Sequence, residues 1–236
     1  MINTIYEGFA KSAAICPQNA KMILRHSLRD KIPPNDMGEN VLLTREGEVM
    51  AEHFGKYCKF DINCIHTSII ERCVQTAKGI ASGYEKSTKK NLAIHSTNIL
   101  TDSYISDMSL ARELFLKYSP YWIMATFIRG EKLQGMKDIH ETMKILFSYI
   151  FREQNFKQDN QIFQGINNFT HNNGMEIFVT HDTFLIAIVC FCHGIVPKDE
   201  KDFFWPYMLE GAFLYRKDSK IYCIFRGEEK SIDFPF

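Results

Sequence analysis

The sequence predicts an α/β fold: a three-layer sandwich with a largely parallel central sheet flanked by helices, a helical insertion and a C-terminal antiparallel hairpin. Three observations predict it. Short apolar runs of strand length alternate with segments of helical period, the pattern of parallel strands joined by crossover helices. From about Asp107 to His171 the alternation stops and helical period prevails. Near the C-terminus two apolar runs flank the polar turn Lys217-Asp218-Ser219-Lys220.

The elements follow in order. Lys21–Leu24 reads as the first strand. Thr44 is placed to cap a helix from Arg45 to about Cys58, with Val49, Met50, His53 and Phe54 on one side. Ile62–His66 is the next strand, a helix runs from about Glu71 to Tyr84, and Asn91–His95 is a third short strand. Asp138–Arg152 and Asn160–His171 are amphipathic and belong to the insertion, roughly residues 100–171. After the turn Asn172-Asn173-Gly174, Glu176–Thr180 has the composition of a buried strand. The helix Thr183–His193 then ends at Gly194, with Pro197 beyond as a stop signal. Ala212–Arg216 and Ile221–Arg226 form the hairpin. No repeat, low-complexity tract or Gly/Pro-rich linker divides the chain, so residues 1–236 read as one domain.

Composition narrows the function classes. Lys+Arg and Asp+Glu balance at 28 each in 236 residues, so there is no general reason to expect nucleic-acid or membrane-surface binding. Any positive potential must be local. The seven cysteines are odd in number, irregularly spaced and lack a Cys-x-x-Cys pair, which suits reduced thiols rather than a disulfide framework. The first residues hold no continuous apolar run of signal-peptide type, and the most apolar stretch, Phe184–Cys192, is too short to span a bilayer. The expectation is a cytoplasmic protein.

Three junctions carry candidate chemistry. In the first, Met22-Ile-Leu-Arg-His-Ser-Leu-Arg-Asp-Lys-Ile-Pro33, a strand delivers Arg25 and His26 at its carboxyl end, and Arg29 follows one turn later. Ligands gather at such strand ends in open α/β sheets. Two guanidiniums beside an imidazole are awkward unless an anion, above all a phosphate, belongs between them. An imidazole can also attack phosphorus through one ring nitrogen if the other is held. The competing reading is a basic surface loop. In the second junction, Thr67-Ser-Ile-Ile-Glu-Arg-Cys-Val-Gln-Thr-Ala77, Arg72 falls in the first turn of a helix. The helix dipole disfavours it there unless an anion is shared with the terminal amides, or unless it is exposed and paired with Glu71. In the third, Ile177-Phe-Val-Thr-His-Asp-Thr-Phe184, His181 and Asp182 follow a buried strand. They could bind phosphoryl oxygen and protonate a leaving group, or serve as an incidental His beside a helix cap.

The three together resemble the histidine phosphatase superfamily, the phosphoglycerate mutase and acid phosphatase group, in chain order over nearly the whole sequence. "LRHSLRDKIP" is similar to the Arg-His-Gly-x-Arg-x-x-Pro turn of the acid-phosphatase branch. "LLTREGEVMAEHFGKYC" resembles its Leu-Thr-x-x-Gly helix, "TSIIERCVQTA" its Ser-x-x-x-Arg-x-x-Gln-Thr-Ala segment, and "VTHDTFLIAI" its His-Asp motif. "WPYMLEGAFLYR" is similar to the Pro-Tyr segment before a late strand. The resemblance implies a phosphomonoester hydrolase, without metal or cofactor, acting on a phosphorylated small molecule or phosphopeptide. It implies His26 as the nucleophile that becomes phosphorylated, Arg25, Arg29, Arg72 and His181 as the phosphate pocket, and Asp182 as the general acid and then base. In the mutase branch the acid is a Glu elsewhere in the chain, which makes Asp102 and Glu113 reserve candidates. The same-fold alternative is mutase-type phosphoryl transfer, and a third possibility is a weakened phospho-ligand-binding module. Ser27 departs from the family's Gly and would strain a turn that needed positive φ.

Other features have structural readings. Cys190-Phe-Cys-His193 crowds one helix without a second ligand pair, so it reads as packing rather than a metal site. His53, His66, His95, His140 and His171 share no spacing logic. Phe203, Phe204, Trp205 and Tyr207 read first as core packing before a late strand and second as pocket lining. Nothing in the sequence reports the oligomeric state.

Overall fold

The computed structural model describes residues 2–152, 174–199, 202 and 204–234, with side chains in the first helix from Glu7 onward. In chain order the elements are α1 (Ile2–Ile15), β1 (Lys21–Arg25), α2 (Arg45–Tyr57), β2 (Ile62–Ser68), α3 (Glu71–Thr88), β3 (Ala93–Thr97), α4 (Ile99–Asp102), α5 (Met108–Lys117), α6 (Pro120–Ile128), α7 (Ile139–Phe151), β4 (Met175–Thr180), α8 (Asp182–His193), β5 (Gly211–Lys217), β6 (Lys220–Phe225) and β7 (Glu228–Asp233). The expected helix Asn160–His171 lies outside the described residues.

One seven-stranded sheet runs in the order β3-β2-β4-β1-β5-β6-β7. The strands from β3 to β1 are parallel, and β5, β6 and β7 continue the sheet antiparallel. Period-two alternation divides the core between the faces. Ile23 and Phe178 face a cluster with α6, α7 and α8, while Met22, Leu24, Ile177 and Val179 face a cluster with residues of α1, α2 and α3. The sheet is therefore covered on both sides, as predicted for a three-layer sandwich.

Local chemistry sets most boundaries. Thr44 accepts from Gly47 N and caps α2, while Asp138 accepts from Glu141 N and caps α7. Gly194 ends α8 in the left-handed conformation at φ 65°. α3 runs one turn past the expected end and stops at Lys89, left-handed at φ 64°, which moves β3 along to Ala93–Thr97. α2 lies tightly on α3: a Cβ at Gly55 would stand 1.9 Å from the carbonyl oxygen of Ile80, so only glycine permits the approach.

Two elements were missing from the sequence expectation. α1 carries Phe9, which meets Phe54 and Phe213 at centroid distances of 5.6 and 5.4 Å, so packing on distant residues fixes its place. β7 has a charged, mostly exposed sequence and exists through its backbone ladder with β6; its lysine and glutamates suit an edge strand.

Candidate active site

The parallel ladder places Arg25 of β1 opposite Thr180 of β4. The residues that follow, His26 and His181, therefore leave the carboxyl edge of the sheet side by side, with ring centroids 5.7 Å apart. His26 N donates to Thr180 O at 2.9 Å, extending the ladder by one rung. β2 lies on the other side of β4, and its end leads into the first turn of α3, which supplies Arg72. Adjacent strand ends thus bring residues from positions 25–29, 72 and 181–182 to one place.

Arg72 connects the group. It is 7 % exposed, yet its partners are neutral: Nε donates to His26 Nε2 at 3.2 Å, Nη2 to His181 Nδ1 at 3.2 Å, and Nη1 to the carbonyl of Gly38. It forms no pair with Glu71, which instead meets Lys78 at 4.0 Å. A buried guanidinium without a counter-charge is costly, and the cost falls when an anion arrives.

Because a guanidinium only donates, His26 Nε2 must carry its lone pair. His26 Nδ1, 2.7 Å from Ser27 O, is then the N–H donor. By the same logic His181 accepts at Nδ1 and donates from Nε2 to Ser68 Oγ at 3.2 Å. Burial, followed by the neighbouring His181, Arg72 and Arg25, holds the His26 pKa well below the usual imidazole value. Burial and then Arg72 lower that of His181. Both rings are therefore neutral at pH 7.

Arg25 is buried and donates to the carbonyl of Pro206 and, from Nη2, to Asp182 Oδ2 at 2.6 Å. Trp205 Nε1 donates to the same oxygen at 3.1 Å, while Asp182 Oδ1 accepts from Thr183 N at 2.9 Å in the first turn of α8. Arg29 donates from Nη1 to Asp30 O at 2.7 Å, and among the described residues the buried Nε atoms of Arg25 and Arg29 have no hydrogen-bond partner. These groups line an open cavity of about 330 Å³.

Ser27 is fully buried and its φ is not positive. Its N–H donates to Thr76 Oγ1 at 3.0 Å and its hydroxyl to Gly47 O at 2.7 Å. The strain expected from serine at this turn is therefore absent. The turn is tight from the other side: a Cβ on Gly47 would stand 2.0 Å from the carbonyl oxygen of Leu28.

No family model matches the chain, and no curated protein matches it by sequence. Solved structures do match. YhfR of Bacillus stearothermophilus superposes with a TM-score of 0.55 at 15% identity, over 89% of this chain and 97% of that one. A phosphoserine phosphatase from Entamoeba histolytica, solved with 3-phosphoglyceric acid, gives 0.51 at 15% identity, over 84% of this chain and 90% of that one. A mycobacterial glucosyl-3-phosphoglycerate phosphatase, solved with VO3, gives 0.51 at 10% identity, over 84% and 92%. This chain shares its fold with these structures, two of which are phosphatases.

Within that fold the six site residues expected from sequence, Arg25, His26, Arg29, Arg72, His181 and Asp182, all line one cavity. Of the reserve acids, Asp102 also lines it, with a carboxyl pKa raised by burial; Glu113 is exposed and is not among the lining residues. The late aromatics divide. Trp205 lines the cavity, Phe204 packs against the core, Tyr207 is exposed, and Phe203 lies outside the described residues. The bond from Trp205 to Asp182 had no signal in sequence, since nothing in the spacing places an indole over an acid 23 positions away.

The fold also groups residues without shared spacing. His66 and His95 are cross-strand partners with rings 5.4 Å apart, and Cys64, His66 and Glu176 are buried close enough to one another to hold a metal ion. Glu176 is already neutralised by Arg152 at 2.7 Å and Lys21 at 3.1 Å, and His66 Nδ1 lies 2.8 Å from the Tyr149 hydroxyl. These contacts explain the cluster as a buried ion-pair network.

Among the described residues, no helix is long and apolar enough to cross a membrane.

Proposed function

We propose that the chain is a phosphomonoester hydrolase that works through a phosphohistidine on His26. The observation that carries this reading is the His26 ring. Its Nδ1–H is held by Ser27 O, and its Nε2 lone pair is turned to Arg72, with the His181 ring alongside. In the first step the phosphoryl oxygens take over the Arg72 N–H and free the Nε2 lone pair, Nε2 attacks phosphorus, the P–O ester bond breaks, and its electron pair leaves on the alcohol oxygen. Arg25, Arg29, Arg72 and His181 hold the phosphoryl oxygens as charge spreads over them. Asp182 enters the step protonated and gives that proton to the departing oxygen. In the second step Asp182 takes a proton from water, the water oxygen bonds to phosphorus, and the P–N pair returns to Nε2, releasing phosphate.

The reading is supported by the positions of these groups at adjacent strand ends and by the fold shared with phosphatase structures. Its charge stabilisation comes from arginines, so a chelator is expected to leave the rate unchanged. Rapid-quench labelling with a phosphate-labelled ester tests the centre of the proposal. An acid-labile, base-stable phosphoenzyme should form, and it should be absent in His26→Ala. A variant that keeps full turnover without His26 ends the proposal. Phosphate release also separates hydrolysis from mutase-type transfer, which conserves the ester.

A second reading concerns only the acid. Asp182 Oδ2 is engaged by Arg25 and Trp205, whereas Asp102 lines the same cavity with its carboxyl raised by burial. Asp102 is therefore the other candidate proton donor.

A further inference from the structure

The cavity's charge is unevenly distributed, and this bears on which ester it admits. We infer, resting on the phosphatase reading, that the preferred substrate is a monoester whose body is aromatic or otherwise apolar and carries no second anionic group.

Every arginine among the described lining residues, Arg25, Arg29 and Arg72, belongs to the phosphoryl floor, and no lysine lines the cavity there. A single phosphate uses all of them. The other charged side chains among the described lining residues, Asp182 of the site apart, are acidic: Asp36 and Glu39 are exposed, and Asp102 is half-buried with its carboxyl pKa raised by burial. Arg112 reaches Glu39 at 3.9 Å but is not a lining residue. A carboxylate or second phosphate on the substrate would lose its water and meet acidic side chains, with no further cation to pair with among the described lining residues.

Apolar and aromatic side chains make up much of the rest of the wall. Tyr121 and Trp205 lie 4.3 Å apart by ring centroid, Tyr104 packs 4.9 Å from Phe184, and Met108 and Phe115 complete that side. Trp205 Nε1 is tied to Asp182, so the indole stands beside the proposed site of leaving-group protonation. The body of the ester departs past this surface. Tyr121 and Met108 are 42% and 51% exposed, which leaves apolar area for an occupant to cover.

Three esters with similar alkoxide leaving groups test this: 2-phenylethyl phosphate, glycerol 3-phosphate and 3-phosphoglycerate. Matching the leaving groups keeps intrinsic reactivity from mimicking recognition. The expected kcat/KM order is as written, with about tenfold or more between the first and the last. Tyr121→Ala should lower kcat/KM for the phenylethyl ester by about three- to tenfold more than for glycerol 3-phosphate. Glu39→Lys should raise 3-phosphoglycerate several-fold. If 3-phosphoglycerate equals or exceeds the phenylethyl ester, the substrate class is wrong and the phosphatase reading stands. If wild-type protein turns over none of the three, the phosphatase reading fails. Calorimetric binding of the same esters then decides the class, with the same order supporting it and any other order overturning it.

Discussion

Arg72 Nε donates to His26 Nε2 at 3.2 Å, across 46 positions of sequence and between two separate strand ends. This single contact sets the tautomer of the proposed nucleophile and aims its lone pair at the buried cation. Arg72→Ala should lower kcat/KM by about 10²- to 10³-fold, the scale of losing a preorganised donor at a charged transition state. Arg72→Lys keeps the charge but cannot reach His26, His181 and Gly38 together, so it should restore little of the loss. Steady-state kinetics on one ester checks both; recovery above about half of wild-type in Arg72→Lys would show that charge alone matters.

The two candidate acids separate by leaving group. Asp182→Asn should slow an alkyl phosphate by about 10²-fold or more and an activated aryl phosphate far less, because a good leaving group needs no proton. Asp102→Asn should slow both equally and slightly. The reverse pattern would assign the proton to Asp102.

Ser27→Gly would restore the residue of the related turn, yet it should be harmful here. The substitution removes the Oγ bond to Gly47 O and frees an unstrained backbone, at a cost of about 1–2 kcal/mol in unfolding free energy. Urea melts would show it, and a stabilised Ser27→Gly protein would refute the account. Gly47→Ala should cost more, since its Cβ meets the Leu28 carbonyl at 2.0 Å.

Stability should depend on pH in a defined window. His26 and His181 are buried with pKa values lowered from 6.5. Above about pH 6.5 both folded and unfolded forms hold these imidazoles neutral, so they add no pH slope. Below it the unfolded chain binds protons that the native state does not, and stability falls as pH drops. The Tm should therefore decline from pH 7 to pH 5, with a smaller decline in His181→Gln. Glu176, lowered from 4.5 to about 2, acts in a separate window below about pH 4.5, where its stabilisation is lost as it protonates.

The site was legible in sequence where chemistry follows a strand directly. Arg25-His26 and His181-Asp182 each leave β1 or β4 within two residues, so locating the strand located the side chains. Arg72 could be placed in a first helical turn, but its burial and its bonds to two histidines depend on β4 lying between β1 and β2, which no local pattern reports. The ion pair of Arg25 with Asp182, the seat of Trp205, and the grouping of His66 with His95 arise from registry between distant segments. β7 has no apolar run to announce it and takes its form from β6.

The strand order has a consequence for how the chain acquires its site. β4 is inserted between β1 and β2 but follows both by more than a hundred positions in the chain. Until it arrives, β1 and β2 lack their shared neighbour, and the apolar residues Met22, Ile62 and Ile65 lack part of their cover. Such unpaired edges are where non-native association begins. The proposed anion site cannot exist in any intermediate lacking β4. In refolding experiments, recovery of phosphate or vanadate binding should therefore lag early collapse and coincide with the last, slowest phase of sheet formation.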